Sequence, residues 1–286
     1  MVFLVLGAFF QAAAASWASA THGQLGLGYL LLLRGLVWFS VLTPWAVRHP
    51  GQAAGQQRRW LLLQALCGAM FLLLFTYAVT RIPLALTTTI MSGTSALWVI
   101  LLVSMLSKVR PLWQEVVAML VAALGITLIV HPEGEVGVQR LDMAGLAAAF
   151  AAAATYAVTF VVIGRVKKTD SANVLNLWCA AMVLLISLPL VVGQPLPGSA
   201  WLCICGLLYG LCGLLGQTFI VWGTMRTSPA AGSTAGVFIP VFAALIGTLW
   251  LAQSLSLLEV VGMLIVVVSA GAVSVVEKLA VPPESV

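Results

Sequence analysis

The chain contains very few charged residues. Only 7% of its 286 residues are charged, eight acidic and thirteen basic, whereas 62% are hydrophobic. Soluble domains carry roughly 25% charged residues, because polar side chains must cover a surface exposed to water. So few charges cannot coat a soluble globule of 30.1 kDa. The composition therefore excludes a cytosolic enzyme, a nucleic-acid-binding protein and a disordered chain, and it requires lipid as the surrounding solvent.

Groups that perform acid–base or metal chemistry are also scarce. The cores of the long apolar runs contain no Asp, Glu or His. The cysteines lie in apolar stretches without metal-ligand spacing, which is typical of small apolar fillers at helix interfaces; they are Cys67, Cys179, Cys203, Cys205 and Cys212. We therefore expect no metal and no cofactor. Because intramembrane catalysis needs a titratable cluster, a metal or a nucleophile with its base, the chain is predicted not to be an enzyme.

Long unbroken apolar runs predict a helical membrane protein. Only helices and closed barrels span lipid, and barrel strands alternate apolar with polar residues, which these runs do not. Runs of about 20 residues suffice to span a bilayer. Ten candidates follow: 3–20, 28–47, 60–80, 84–106, 112–130, 143–164, 173–192, 200–223, 229–252 and 257–276. The first run lacks a basic leader, which favours a retained helix over a removed signal peptide.

The distribution of Lys and Arg predicts the orientation. With a cytoplasmic N-terminus, ten basic residues fall in inner loops and two, Arg81 and Arg140, in outer loops. The inner ones are Arg48, Arg58, Arg59, Lys108, Arg110, Arg165, Lys167, Lys168, Arg226 and Lys278. Because cytoplasmic loops are enriched in basic residues, both termini are predicted to be cytoplasmic, in an inner (cytoplasmic) membrane.

The two halves of the chain repeat each other. Residues 114–120 and 258–264 share five of seven positions at an offset of 144, and Pro44 and Pro189 are 145 apart. Ala-rich stretches also open both halves, and their alignment matches Trp17 with Tyr156. Because five spans is an odd number, the second half is expected to enter the membrane inverted, which places a site at the interface of the halves. The predicted units are a first repeat over 1–131, an outer linker over 132–142, a second repeat over 143–277 and a cytoplasmic tail over 278–286.

Ten spans in two five-helix halves, each with a Glu at the start of its last helix, resemble the drug/metabolite transporter superfamily, specifically its EamA-type exporters. The resemblance covers nearly the whole chain and rests on Trp17, Arg34, Glu115, Tyr156, Pro240 and Glu259. One departure is Ser95, which stands where the fourth helix of a half usually carries Pro. Aromatic, acid-free spans look most like the YddG-type amino-acid exporters. The resemblance implies alternating access around a central cavity.

The lack of buried acids bears on energy coupling. Small multidrug members of the superfamily depend on a carboxylate in their first helix, where this chain has Gln11, Ser16, Trp17 and Ser19. A proton-coupled cation antiporter would therefore lack its titrating group, and facilitated export down a gradient is expected.

Arg34 and several polar or aromatic residues are the candidate substrate-binding residues. Arg34 is the one charge clearly embedded in the core of a predicted span. It could bind a substrate carboxylate, act as an outer gate, or be satisfied by carbonyls or a neighbouring helix end. Rings can enclose a substrate but also form interfacial belts, and hydroxyls can bond their own helix. The predicted binding set is Gln11, Trp17, Arg34, Tyr77, Thr88, Ser92, Trp98, Tyr156, Gln217, Trp222, Ser233 and Thr234. The predicted gating or hinge residues are Gly210, Gly213 and Pro240.

These features predict an exporter of small metabolites, with neutral or aromatic amino acids as the expected substrates. One embedded Arg suits a zwitterion better than a sugar phosphate, which would need several cations. Export of drugs or other amphipathic compounds is the alternative, and a structural or assembly role is the alternative of another class. The expected partners are a small-molecule substrate and the lipid bilayer, without nucleic acid, and a monomer is expected to suffice.

The charge count generates a topology prediction. A reporter fused after Val286 should report the cytoplasm, and one inserted in the 131–142 loop should report the outside. Reporter activity in whole cells checks both positions. The opposite pair of signals would contradict the inverted repeat, because the orientation and the odd helix number depend on each other.

Overall fold

The computed structural model describes residues 2–21, 24–107, 142–226, 238–252 and 256–280, together with Gly236 and single positions between 113 and 128. Within these residues the chain is helical and contains no strand. The predicted fifth span, 112–130, with Glu115, lies mostly outside them. Among the described residues, seven helices are long and apolar enough to cross a membrane, as the sequence predicted for those positions.

Nine main helices are described and are numbered here in chain order. The first half contributes α1 (Val2–Ser19), α2 (Leu27–Arg48), α3 (Arg58–Val79) and α4 (Leu84–Ser107), and the second half contributes α5 (Met143–Val166), α6 (Ala172–Val191), α7 (Ala200–Met225), α8 (Phe238–Leu249) and α9 (Leu257–Ala280). A one-turn helix, Pro50–Ala53, follows α2. The helix α8 has 12 residues and is shorter than the predicted 229–252 span, because the residues before Phe238 are largely outside the described part.

Helices of the two halves pack on each other rather than in separate bundles. The helix α1 packs against α7, and its counterpart α5 packs against α3. The α2–α7 contact likewise has a counterpart in α3–α6, and α1–α8 has one in α4–α5, while α2 and α6 contact each other. Exchanging each helix for its counterpart maps this set of pairs onto itself. A two-fold relation between the halves therefore governs the packing.

Individual contacts repeat at an offset of 145 residues. A Cβ added at Gly213 would lie 2.5 Å from Cζ of Arg34, and one at Gly68 would lie 3.0 Å from Sγ of Cys179. Arg34 and Cys179 are 145 residues apart, as are Gly68 and Gly213. The two glycines thus leave room for the equivalent side chain of the other half. The same packing holds an arginine in one half and a cysteine in the other.

The structure also changes one pairing suggested by the Ala-rich spans. Tyr156 stacks on Phe71 with ring centroids 4.3 Å apart, and the equivalent contact sets Gln11 against Gly216. At the same offset of 145, the counterpart of Tyr156 is therefore Gln11 and not Trp17. Composition alone aligned the two Ala-rich helices with an error of nearly two turns.

Asp142 and Asp170 both stabilise helix N-termini. Asp142 accepts hydrogen bonds from the amides of Ala144 (2.9 Å) and Gly145 (3.4 Å) at the start of α5. Asp170, which is buried, accepts from the amides of Gln56 (2.7 Å) and Gln57 (3.3 Å), just before α3. Carboxylates at these positions satisfy orphan N–H groups and suit the helix dipole. Both side chains have a structural role at the ends of helices.

The close approach of α1 and α7 generates a stability prediction. Replacing Gly by Ala within a helix ordinarily stabilises it by about 1 kcal/mol. At Gly216 the new Cβ would lie 2.9 Å from the backbone nitrogen of Gln11 and 3.1 Å from the oxygen of Gly7, so the helices must separate. Gly216→Ala should lower the free energy of unfolding in detergent by about 1–3 kcal/mol. Gly51→Ala, with nothing within 4 Å, is the control, and equal stability of the two variants would contradict the packing.

Candidate functional site

Arg34 lies at the centre of the candidate site. It is 1% exposed, on α2, and its Cζ lies 4.9 Å from the ring centroid of Trp38 and 4.5 Å from that of Tyr209. Cation–π contacts of this kind stabilise a desolvated guanidinium by about 2 kcal/mol. Arg34 therefore contacts helices from both halves, α2 through Trp38 and α7 through Tyr209.

Three helices hold the rings around Arg34 in place. Trp38, one turn further along α2, donates its indole N–H to the carbonyl oxygen of Gly210 over 2.9 Å. The Tyr209 hydroxyl lies 2.5 Å from the hydroxyl of Thr76 on α3. Because the guanidinium lies across Gly213 on α7, any larger residue there would displace it. The two glycines predicted as hinges are therefore the contact surface of Arg34 in this structure.

Two nitrogens of the guanidinium have no hydrogen-bond partner within the described part of the chain. They are Nε and Nη2, which lie on the same edge of the guanidinium plane. The one salt bridge among the described residues joins Arg81 to Asp142 over 3.3 Å at helix ends, so it does not involve Arg34. A buried cation without a counter-ion is costly. An oxyanion with two parallel acceptors, such as a carboxylate, matches this edge in charge and in geometry.

The structure brings together Gln11 and Gln217, two residues of the predicted substrate-binding set. The side-chain amide of Gln11 on α1 donates to Oε1 of Gln217 on α7 over 3.2 Å, and both residues are buried. The bond crosses the interface between the halves. Each amide retains further hydrogen-bonding capacity, because one amide side chain can take part in up to four bonds.

The predicted aromatic residues fall into different surroundings. Tyr156 is buried and packs on Phe160, with centroids 4.7 Å apart, as well as on Phe71. Trp17 lies near the end of α1 and contacts Trp250 at 4.5 Å and Trp201 at 6.1 Å. Trp201 and Trp250 are largely exposed, so this cluster has the character of an interfacial belt.

Three other predicted rings are not among the residues that contact Arg34; they are Tyr77, Trp98 and Trp222. Tyr77 lies near the end of α3, beneath the guanidinium of Arg81 at 5.0 Å. Trp98 and Trp222 are 41% and 38% exposed on the surfaces of α4 and α7. The structure therefore does not bring these rings to Arg34, and their role in binding stays a prediction.

The hydroxyl-bearing residues differ in how they are satisfied. Thr88 donates to the carbonyl oxygens of Leu84 (2.9 Å) and Ala85 (3.0 Å), so its hydroxyl is satisfied within its own helix and needs no ligand. Ser92, also buried, has an Oγ without a partner among the described residues. Ser233 and Thr234 lie outside the described part. Pro240 is buried within α8.

Several residues of the site were missed from the sequence. Trp38 and Tyr209 sit in apolar runs beside belt-like tryptophans, so composition did not distinguish them. Gln64 and Asn176 are both fully buried, and each has a side-chain atom without a described partner. Their polarity within predicted spans was the signal that could have identified them.

Comparisons with known proteins agree with this architecture. Residues 143–275 match the EamA-like transporter family. The chain also matches a protein of known crystal structure at 18% sequence identity and a TM-score of 0.68, over 97% of this chain and 98% of that one. At that identity the likeness concerns the fold alone. No curated protein matches the sequence.

Because Tyr209 contacts both Thr76 and Arg34, we expect its substitution to lower the stability of the protein. Tyr209→Phe removes the hydroxyl and should lower the free energy of unfolding by about 1 kcal/mol. Tyr209→Leu also removes the ring beneath the guanidinium and should cost about 1–2 kcal/mol more. Unfolding in detergent measures both. Once Thr76→Val is present, Tyr209→Phe should have little further effect; fully additive losses would contradict the bond.

Proposed function

From the premise that residues 143–275 form an EamA-like transporter domain, we propose that this multi-pass membrane protein exports small neutral or aromatic amino acids. Arg34 binds the substrate carboxylate. The two halves expose the site alternately to the two sides of the cytoplasmic membrane. The termini lie in the cytoplasm, on the side of the ten basic loop residues. The family assignment by itself supports the coarser statement, a membrane transporter of small molecules.

The unpaired edge of the Arg34 guanidinium carries the proposal. Its Nε and Nη2 need acceptors that the described chain does not supply, and a carboxylate supplies two in the required geometry. Binding would also neutralise a charge held between Trp38 and Tyr209 in surroundings of low polarity. The site thus gains most from a ligand with one carboxylate.

Charge arithmetic restricts the class of substrate. A single embedded Arg matches one carboxylate, whereas a sugar phosphate or nucleotide sugar would favour several cations. A cationic drug would meet the guanidinium as a like charge, which disfavours the alternative of drug export for cationic compounds. The rings around Arg34 suit the apolar side chain of a neutral or aromatic amino acid.

The same residues support export without proton coupling. The cores of the predicted spans carry no acid, and Asp142 and Asp170 are engaged at helix N-termini. A proton-coupled cycle would need a group in the transport path that gains and loses a proton. Facilitated export down the substrate gradient requires none.

The proposal is tested by separating the carboxylate from the rest of the substrate. Proteoliposomes should take up labelled L-phenylalanine by counterflow with a KM lower than that of L-phenylalaninamide, which lacks the carboxylate. Arg34→Gln should raise the KM for phenylalanine by about 10- to 100-fold, because it removes two charge-assisted hydrogen bonds. Arg34→Lys keeps the charge but cannot form two parallel hydrogen bonds, so its KM for phenylalanine should lie between those of the wild type and of Arg34→Gln.

Arg81→Gln is the matched control, because it removes a positive charge at a helix end rather than in the site. It should leave the preference for phenylalanine over the amide unchanged. An Arg34→Gln protein that retains the wild-type preference would refute the assignment of Arg34. A wild-type protein that carries neither compound would refute amino-acid transport for this substrate.

A further inference from the structure

We propose that Gln64 and Asn176 form a second binding station, which takes the amino group of the transported molecule. The inference rests on the proposed function, because it presupposes an amino-acid substrate. It adds a site that neither the family match nor the sequence analysis assigned. The station lies on α3 and α6, apart from Arg34.

Gln64 supplies the first observation. Its side chain is fully buried, and neither Nε2 nor Oε1 has a partner in the described part of the protein. In a membrane-embedded bundle, lipid cannot satisfy such an amide, so leaving it unbonded is costly. A buried amide with both ends free is therefore expected to meet a polar group that enters from solution.

Asn176 supplies the second observation. It is also fully buried, and its Nδ2 donates to Oγ1 of Thr218 on α7 over 3.1 Å, while its Oδ1 has no described partner. The bond to Thr218 holds the amide in place. It leaves the carbonyl oxygen as the free end.

Packing of α3 on α6 sets the two amides at one level. Gly68 faces Cys179, where an added Cβ would lie 3.0 Å from Sγ and 3.8 Å from Nε2 of Gln64. Gln64 precedes Gly68 by four residues and Asn176 precedes Cys179 by three, about one helical turn in each case. The residues just before α3 and α6 also meet, where Gln57 donates to Thr169 over 3.1 Å, so the two helices run in the same direction. One turn back on each helix therefore reaches a similar depth.

The free atoms define the class of ligand. Two carbonyl oxygens and one NH2 group are unsatisfied, and no charged side chain belongs to the station. The two carbonyl oxygens can accept hydrogen bonds from a primary ammonium, which has three N–H donors; the Gln64 NH2 group takes no part in that contact, because an ammonium has no acceptor. Uncharged acceptors bind such a group weakly enough for release, as a transport path requires.

The station is separate from the carboxylate site. Gln64 and Tyr209 are counterparts at the offset of 145, as are Arg34 and Cys179. Tyr209 lies beside Arg34, and Gln64 lies on the Cys179 side of the repeat. Thr76, which is bonded to Tyr209, lies twelve residues beyond Gln64 on α3, about 18 Å along the helix axis. The two sites therefore lie at different depths along α3, and the amino and carboxylate groups of one molecule would meet them in succession. With the predicted orientation, the amino-group station lies towards the cytoplasm.

The test separates the ammonium from the rest of the substrate. The full-length protein in proteoliposomes is assayed with L-phenylalanine and with 3-phenylpropionate, which lacks the amino group. Gln64→Met should raise the KM for phenylalanine by about 10-fold and leave that for phenylpropionate unchanged, and Asn176→Leu should act in the same direction. Asn173→Leu, one turn away on α6 and only half-buried, is the matched control and should change neither value.

Thermal unfolding in detergent distinguishes binding from packing. Removing an unsatisfied buried amide should keep or raise the melting temperature, so a stable Gln64→Met protein with a raised KM for phenylalanine and an unchanged KM for phenylpropionate supports the station. Stable variants with unchanged selectivity between the two probes would overturn it. That result leaves the Arg34 assignment intact, because the role of Arg34 is tested separately, by the KM for phenylalanine compared with the KM for phenylalaninamide. If the wild type carries no phenylalanine, both proposals fail together.

Discussion

The close approach of α7 to α1 and α2 is the constraint on which the candidate site depends. Gly210, Gly213 and Gly216 allow that approach, because each added Cβ would lie within about 3 Å of Arg34, Val37 or Gln11. The same contact places Tyr209 under the guanidinium and presents the Gly210 carbonyl to Trp38. A bulky residue at Gly213 would displace the charge that defines the site. Small residues on one helix thus determine where Arg34 lies, the one buried cation among the described residues.

Lipid gives the unpaired polar atoms their significance. In water, a free amide edge or guanidinium edge is solvated and uninformative, but within an apolar bundle it is costly. Arg34, Gln64 and Asn176 are each almost fully buried, and each retains atoms without a described partner. By contrast, Thr88 and Thr76 satisfy their hydroxyls with carbonyls of their own helices. Polar groups that are already hydrogen-bonded within the protein stabilise its structure, whereas those without a partner can bind a ligand.

The two halves share packing but differ in chemistry. Gly213 faces Arg34 where Gly68 faces Cys179, and Tyr209 corresponds to Gln64. The repeat conserves the space around these positions, because helix packing depends on side-chain size at the contact. It does not conserve charge. The result is a cationic site where α7 packs on α2 and a pair of neutral amides where α3 packs on α6, a basis for the proposed path with two unlike ends.

The sequence by itself determined the helical membrane fold, because composition and run length depend only on the solvent that surrounds the chain. It also identified Arg34, since a charge within an apolar run stands out without any structure. It aligned Trp17 with Tyr156, whereas the contacts pair Tyr156 with Gln11, because Ala-rich helices carry little information on register. Only the tertiary structure decided which polar groups are satisfied. For groups such as Gln11, bonded to Gln217, and Trp38, bonded to Gly210, that depends on neighbours more than a hundred residues away, which no local pattern records.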